Sequence, residues 1–254
     1  MVTPRAALTS PPPPPPHPAQ IGGGIRSYTD AAGVSYSALD VAARYFRAGA
    51  DKISIGSDAV LAAEAFYAAG GVASGASTLE AIARVYGRQA VVVSIDPRRV
   101  WVAAGSAAEA AALAAGHAVL EPAGGARGAA GETRAWYQAT VKGGREGRPL
   151  CAVRLAAAAQ ALGAGELLVN SIDADGQGGG FDAVLLRAVC AAVTIPVVAS
   201  SGAGAAAHFA DVFAATRVEA ALAAGIFHRR EVAIAAVKDA CEAARVVVRR
   251  DADA

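Results

Sequence analysis

The sequence predicts an α/β protein built on a parallel sheet with both faces covered. Three observations predict it. Short apolar, β-branched runs recur along the chain, amphipathic helical patterns lie between them, and the runs end in glycine, serine or aspartate. The first run, residues 19–24, closes on Gly22-Gly23-Gly24. Ala38, Leu39, Val41, Ala42, Tyr45 and Phe46 then fall at i, i+3, i+4 and i+7 spacing and predict a helix. The strand at 51–56 ends in Ser54-Ile55-Gly56-Ser57. Leu79, Ile82 and Val85 share the next helical face, and Ser77 with Glu80 predicts a capping box at its start. The strand at 89–95 runs into Asp96.

From Val100 to Thr140 the rhythm breaks. The middle of this stretch, about 103–131, is Ala/Gly-rich and of low complexity. It reads as a long excursion with a hairpin between Trp101-Val102 and Trp136-Tyr137-Gln138, its middle expected to be mobile. The alternation then resumes with strands at 166–172, 196–201 and 219–224 and a helical face holding Val212-Phe213. A closing helical pattern covers 231–244.

A faint internal repeat runs through these elements. Gly23-Gly24, a helix, then the strand at 51–56 parallels Ser201-Gly202, a helix, then the strand at 219–224. Val91-Val92-Val93-Ser94-Ile95-Asp96 echoes Leu167-Leu168-Val169-Asn170-Ser171-Ile172-Asp173. Repeated βα pairs fit an incomplete (β/α)8 TIM barrel with about six βα units visible, and the missing two are expected before residue 20. In such a barrel, chemistry sits at the C-terminal strand ends. Here those ends carry Gly23-Gly24, Gly56-Ser57, Asp96, Asp173 with Asp175-Gly176, Ser200-Ser201-Gly202 and Ala224-Gly225. Small residues at strand ends bring backbone N–H groups together where no side chain blocks access, which suits a phosphate. Two such pairs of segments predict a ligand with a phosphate at each end.

Bulk properties exclude other classes. The chain has 254 residues, 54% of them apolar, enough to bury a core. A net charge of +1, without a Lys/Arg stripe interleaved with aromatics, speaks against nucleic acid. No apolar run is long enough to span a bilayer. Cys151, Cys190 and Cys241 are far apart and read as buried free thiols, with no metal or cofactor expected. Residues 1–20 include an unbroken run of prolines at 11–16 and are expected to be a non-core tail. Residues 21–254 are then the barrel domain.

Four segments together resemble a known family. They are Ala48-Gly49-Ala50-Asp51-Lys52-Ile53-Ser54-Ile55-Gly56, Gln89-Ala90-Val91-Val92-Val93-Ser94-Ile95-Asp96, Gly163-Ala164-Gly165-Glu166-Leu167-Leu168 and Ala199-Ser200-Ser201-Gly202-Ala203-Gly204. They resemble the cyclase part of imidazole glycerol phosphate synthase. Trp136-Tyr137-Gln138 and Lys142-Gly143-Gly144-Arg145-Glu146 look like the eukaryotic form, in which glutaminase and cyclase are fused. The resemblance implies a lyase of histidine biosynthesis, found in cytosol or plastid. It implies that ammonia from a glutaminase domain or subunit joins a bisphosphorylated ribulosyl aminoimidazole carboxamide ribonucleotide. The products are imidazole glycerol phosphate and aminoimidazole carboxamide ribotide. The alternatives are a non-catalytic fragment of this enzyme and the related phosphoribosyl-formimino isomerase of the same pathway. The Gly49–Gly56 segment and the Trp136-Tyr137-Gln138 insert argue against the isomerase.

Each site residue carries a plainer alternative. Asp96 falls on one of the family's two catalytic aspartates, and a carboxylate there can transfer protons during ring closure. The plainer reading is a cap or a loop ion pair with Arg98 or Arg99. The resemblance groups Asp175-Gly176, Ser200, Ser201-Gly202 and Ala224-Gly225 into one phosphate site, and Gly23, Gly24, Ser54, Gly56 and Ser57 into the other. Any single glycine reads equally as a tight turn. Asp175 is acidic, so it is expected to orient backbone or accept from a ligand hydroxyl. Lys52 and Glu166 begin their strands and match the family's charged ammonia gate; the alternative is a surface ion pair. Asp51 is placed to bond a neighbouring strand. His208 and His228 read as packing or capping residues. With two strands wanting, the chain alone is expected to be a poor cyclase, since open sheet edges invite aggregation.

Overall fold

The computed structural model describes residues 19–23 and 25–250. The run of prolines lies outside them. The chain divides into two compact units: the residues up to Ser94 with Ala158–Glu166, and Ile95–Ala157 with the residues from Leu167 onward.

The first unit opens with β1 (Gln20–Gly22), so Gln20, at the edge expected for the tail, is already in a strand. A short antiparallel hairpin follows, β2 (Tyr28–Thr29) and β3 (Ser35–Tyr36). Its turn is held by the Asp30 carboxylate, which accepts from the N–H groups of Ala32 and Val34. Helix α1 (Ala38–Arg47) begins at a Ser37/Asp40 capping box and buries Ala38, Val41 and Ala42. β4 (Lys52–Ile55) pairs in parallel with β1, Gly22 opposite Ser54. The Asp51 carboxylate accepts from the Ala19 N–H at 2.8 Å, the bond to a neighbouring strand expected of it. Helix α2 (Ser57–Ala68) follows directly, then α3 (Thr78–Tyr86) with the expected Ser77/Glu80 capping box. Leu79 and Ile82 of α3 are buried but Val85 is 58% exposed, so its apolar face is narrower than the periodicity predicts. β5 (Val91–Ile95) pairs in parallel with β4. Val91, Val92, Val93 and Ile95 are fully buried, the signature of a strand covered on both faces.

In the second unit the excursion is a sheet. β6 (Pro97–Val102), α4 (Ala107–Ala114), β7 (Val119–Leu120), β8 (Arg134–Val141) and β9 (Glu146–Cys151) follow in order. β8 is central and pairs antiparallel with β6, β7 and β9. The two segments expected to form a hairpin do pair antiparallel, but α4 and β7 come between them in the chain and the register differs: Trp136, Tyr137 and Gln138 lie opposite Val100, Arg99 and Arg98, and Trp101 lies opposite Ala135. The low-complexity middle, read as a loop, instead contains α4 and β7. Composition hid the anchors. Ser106 caps α4 by accepting from the Glu109 N–H. The Glu109 carboxylate takes the Gly105 N–H at 2.6 Å and Arg134 of β8 at 2.7 Å. His117 stacks on Trp136, ring centroids 4.1 Å apart.

The remaining elements restore the alternation: α5 (Ala152–Ala161), β10 (Glu166–Asn170), α6 (Ala183–Ala192), β11 (Val197–Ser200), α7 (Ala206–Ala215), β12 (Ala220–Ala221), α8 (Gly225–His228) and α9 (Ile234–Ala243). β10, β11 and β12 pair in parallel, Val169 opposite Ala199 and Ala199 opposite Ala221. α7 and α9 meet around Phe209, Ile226, Val237 and Cys241. All three cysteines are buried and free. Among the described residues no helix is long and apolar enough to cross a membrane. The chain is α/β, with six parallel strands among the described residues in the alternation of an incomplete TIM barrel.

Candidate functional site

The candidate residues fall into two clusters, each built within one unit. In the first unit, Gly23 follows β1, and Ser54 lies beside Gly22 in β4. A Cβ on Gly22 would stand 3.3 Å from the Ser54 Cβ, so the two strands end in close approach. Gly56 caps α2 and Ser57 is its first residue, the position where helix N–H groups lack intrahelical partners. Gly24 lies outside the described residues. Burial raises the Asp58 carboxyl in the first turn of α2, and the charge of Arg26 opposes that rise. At the other end of β4, Lys52 Nζ meets Glu166 Oε2 at 2.5 Å.

In the second unit, three strand-end loops are stitched together by backbone. Asp96 follows β5 half-buried, and its carbonyl accepts from Thr140 Oγ1 at 2.5 Å. Of the two arginines weighed as its ion-pair partners, Arg98 donates to Gln138 and Arg99 to Asp182. The Ile172 N–H donates to the Pro97 carbonyl at 3.1 Å, joining the loop after β10 to the segment beyond Asp96. Asp175 and Gly176 occupy an exposed turn in that loop, where the Asp175 N–H donates to the Ser171 carbonyl. On its far side, the Gly180 N–H donates to the Gly202 carbonyl at 2.8 Å.

That last contact explains a glycine. Gly202 has φ +99°, and a Cβ there would stand 2.2 Å from the Gly180 carbonyl oxygen. Ser201 beside it also has positive φ, +74°, which costs a serine strain. Its hydroxyl and that of Ser200 both bond Asn170 Oδ1, which anchors the turn. Ala224 caps α8 and Gly225 is its first residue, just beyond β12. His208 Nδ1 accepts from the Gly204 N–H at 3.0 Å, a capping role as expected, and His228 is exposed at the end of α8.

Sequence reasoning missed a buried triad. Tyr137 OH donates to Asp182 at 2.9–3.0 Å, and Arg99 donates to both Asp182 and the Tyr137 oxygen. Burial and the Asp182 charge push the Tyr137 phenol upward, with Arg99 opposing. Burial alone would lower the Arg99 guanidinium, but the neighbouring carboxylate outweighs it and the net shift is upward. Asn170 was also missed as an anchor. The one available signal was an aspartate, Asp182, directly before a helical apolar run.

Known proteins resemble this sequence along most of the chain. The family described as "Histidine biosynthesis protein" matches residues 16–233. The chloroplastic imidazole glycerol phosphate synthase hisHF of Arabidopsis thaliana is 56% identical over 232 residues, 91% of this chain and 38% of that protein. The hisHF protein of Emericella nidulans is 51% identical over 92% of this chain and 40% of its own length. The imidazole glycerol phosphate synthase subunit HisF of Mycobacterium leprae is 38% identical, covering 91% of this chain and 69% of the subunit. The chain thus spans about two-fifths of the fused relatives and over two-thirds of the separate subunit. On this evidence the chain belongs to the histidine biosynthesis protein family, among the HisF and hisHF homologues.

Proposed function

We propose that this chain carries the cyclase reaction of imidazole glycerol phosphate synthase. In this reading it joins ammonia to a bisphosphorylated ribulosyl aminoimidazole carboxamide ribonucleotide and releases imidazole glycerol phosphate and aminoimidazole carboxamide ribotide. One observation supports it above others. The segment after Asp96 is tied through Ile172 and Pro97 to the 171–182 loop, and that loop through Gly180 to Gly202. A proton-transferring carboxylate and a small-residue anion cradle then belong to one stitched set of loops.

In the mechanism Asp96 is the general acid or base for the proton transfers of ring closure. The Thr140 bond to its carbonyl holds its backbone in place. Ser200, Ser201, Gly202, Asp175, Gly176, Ala224 and Gly225 are assigned to one phosphate; backbone N–H groups supply the attraction. Gly23, Gly24, Ser54, Gly56 and Ser57 are assigned to the other, with the start of α2 favouring negative charge. Lys52 and Glu166 are assigned to ammonia entry, at the opposite end of β4 from Gly56. A glutaminase domain or subunit is the partner, as the resemblance to the fused eukaryotic form implies. Residues 21–254 are the cyclase domain with its insert in this reading. The compartment is plastid or cytoplasm, and the chloroplastic name of the Arabidopsis relative favours the plastid.

The test uses the whole polypeptide that carries these residues, assayed with ammonium as nitrogen donor. Asp96→Asn is expected to lower kcat at least about 100-fold while substrate affinity changes little. Turnover within a few-fold of the parent would remove Asp96 from the chemistry.

A further inference from the structure

We infer that Arg99, Tyr137 and Asp182 are positioning residues for the 171–182 loop, and that the excursion after β5 thereby sets the geometry of the Asp175–Gly176 turn. This rests on the function proposed above. The observation behind it is that one residue holds both ends of the loop. The Arg99 backbone N–H donates to Asp173 Oδ2 at 2.7 Å, near the loop's start. The Arg99 guanidinium pairs with Asp182 at its end. Asp182 is also the N-cap of α6, accepting from the Leu185 N–H at 3.2 Å, so the loop's exit and the helix's start are one residue.

The two anchors differ in strength. Asp173 is exposed and water competes for its carboxylate. The Asp182 side chain is only 2% exposed, and no water replaces what it loses. Tyr137, on the central strand of the excursion, fills the remaining demand by donating from a side chain that is itself buried. Arg99 lies near the rings of Tyr137 and Trp101, its guanidinium carbon 5.8 Å and 5.9 Å from their centroids. Its fork is therefore committed to protein partners.

The opposite side of the loop has no slack. A Cβ on Gly204 would stand 2.3 Å from the Gly178 carbonyl oxygen, and Gly202 abuts Gly180 in the same way. The loop is thus bounded by backbone on the β11 side and by the triad on the β6–β8 side. A change in the triad frees the loop on that side, and the exposed Asp175–Gly176 turn lies between the two Arg99 anchors.

The test uses Asp182→Asn, Arg99→Lys and Tyr137→Phe in the whole polypeptide. Asparagine caps a helix as well as aspartate does, so Asp182→Asn keeps the start of α6 while removing the charge. Lysine keeps the charge of Arg99 without its planar fork. Asp182→Asn and Arg99→Lys are expected to raise KM for the bisphosphorylated substrate about tenfold or more, with kcat moving less. The Arg99, Ile172 and Gly180 amides are expected to exchange hydrogen faster than in the parent. A fall in Tm with KM within twofold of the parent overturns the inference, as does rescue of KM by Arg99→Lys. Tyr137→Phe is expected to lie between parent and Asp182→Asn; an effect larger than that of Asp182→Asn also overturns it. A parent without ammonia-dependent turnover would sink the function reading instead, and the exchange rates of the three amides would still decide whether the triad holds the loop.

Discussion

Two close ion pairs in this chain differ in kind. Lys52 and Glu166 meet at 2.5 Å with side-chain exposures of 37% and 14%. Arg99 and Asp182 meet with exposures of 17% and 2%, and Tyr137 and the Leu185 N–H converge on the same carboxylate. The difference follows from solvation. A carboxylate taken fully out of water needs several donors to replace what it loses, and a pair that keeps more of its contact with water needs fewer. The first pair can therefore open at lower cost than the second. The second cannot open without stranding a charge, which suits a fixed support.

The comparison breaks most directly at Arg99. Arg99→Met leaves Asp182 buried with its strongest partner gone, and is expected to cost about 3–5 kcal/mol in denaturant unfolding. A loss below about 1 kcal/mol would place both pairs in one class. Gly202→Ala probes the opposite wall of the same loop. It forces a side chain toward the Gly180 carbonyl at φ +99°, and is expected to destabilise by about 1–3 kcal/mol by the same measurement. Lys52→Met sharpens the contrast from the other side. With over a third of its side chain in water, its loss is expected to cost less than about 1 kcal/mol.

The smallest effect concerns a buried group with fewer partners. His117 is 8% exposed, stacked on Trp136, and among the described residues its Nδ1 has no hydrogen-bond partner. Burial, aided by the charge of Arg154, holds its pKa below the ordinary imidazole value. The unfolded chain then binds the proton more readily than the folded one. Stability is full above about pH 6.5 and falls as pH drops toward the folded value. His117→Phe keeps the stack and is expected to flatten that slope in melts taken across this pH range. An unchanged slope would mean that another group carries it.

The strand-helix alternation was legible because its signals are local. β5 is apolar but for Ser94, α3 follows a serine with glutamate three residues on, and the small residues after β1 and β11 stand in plain sequence. The excursion was not legible in the same way. Its alanine-rich middle carries no periodic contrast, and α4 is set by Ser106 and by a pair between Glu109 and Arg134, 25 residues apart. The triad was less legible still. Arg99 reads as a loop ion-pair candidate for Asp96, Tyr137 as part of the Trp136-Tyr137-Gln138 segment, and Asp182 carries no signal beyond preceding an apolar run.

By itself the sequence determined the class of fold, the order of the six parallel strands, and a carboxylate directly after β5. Periodicity and capping act over a few residues and can be read without knowing what lies opposite. Only the tertiary structure decided that Arg99 meets Asp182 across 83 residues of chain, that Gly202 must be glycine because Gly180 lies against it, and that Asn170 anchors two serines from the next strand. Those choices depend on which strand ends are brought side by side and how much water they exclude. Neither is encoded in any single segment.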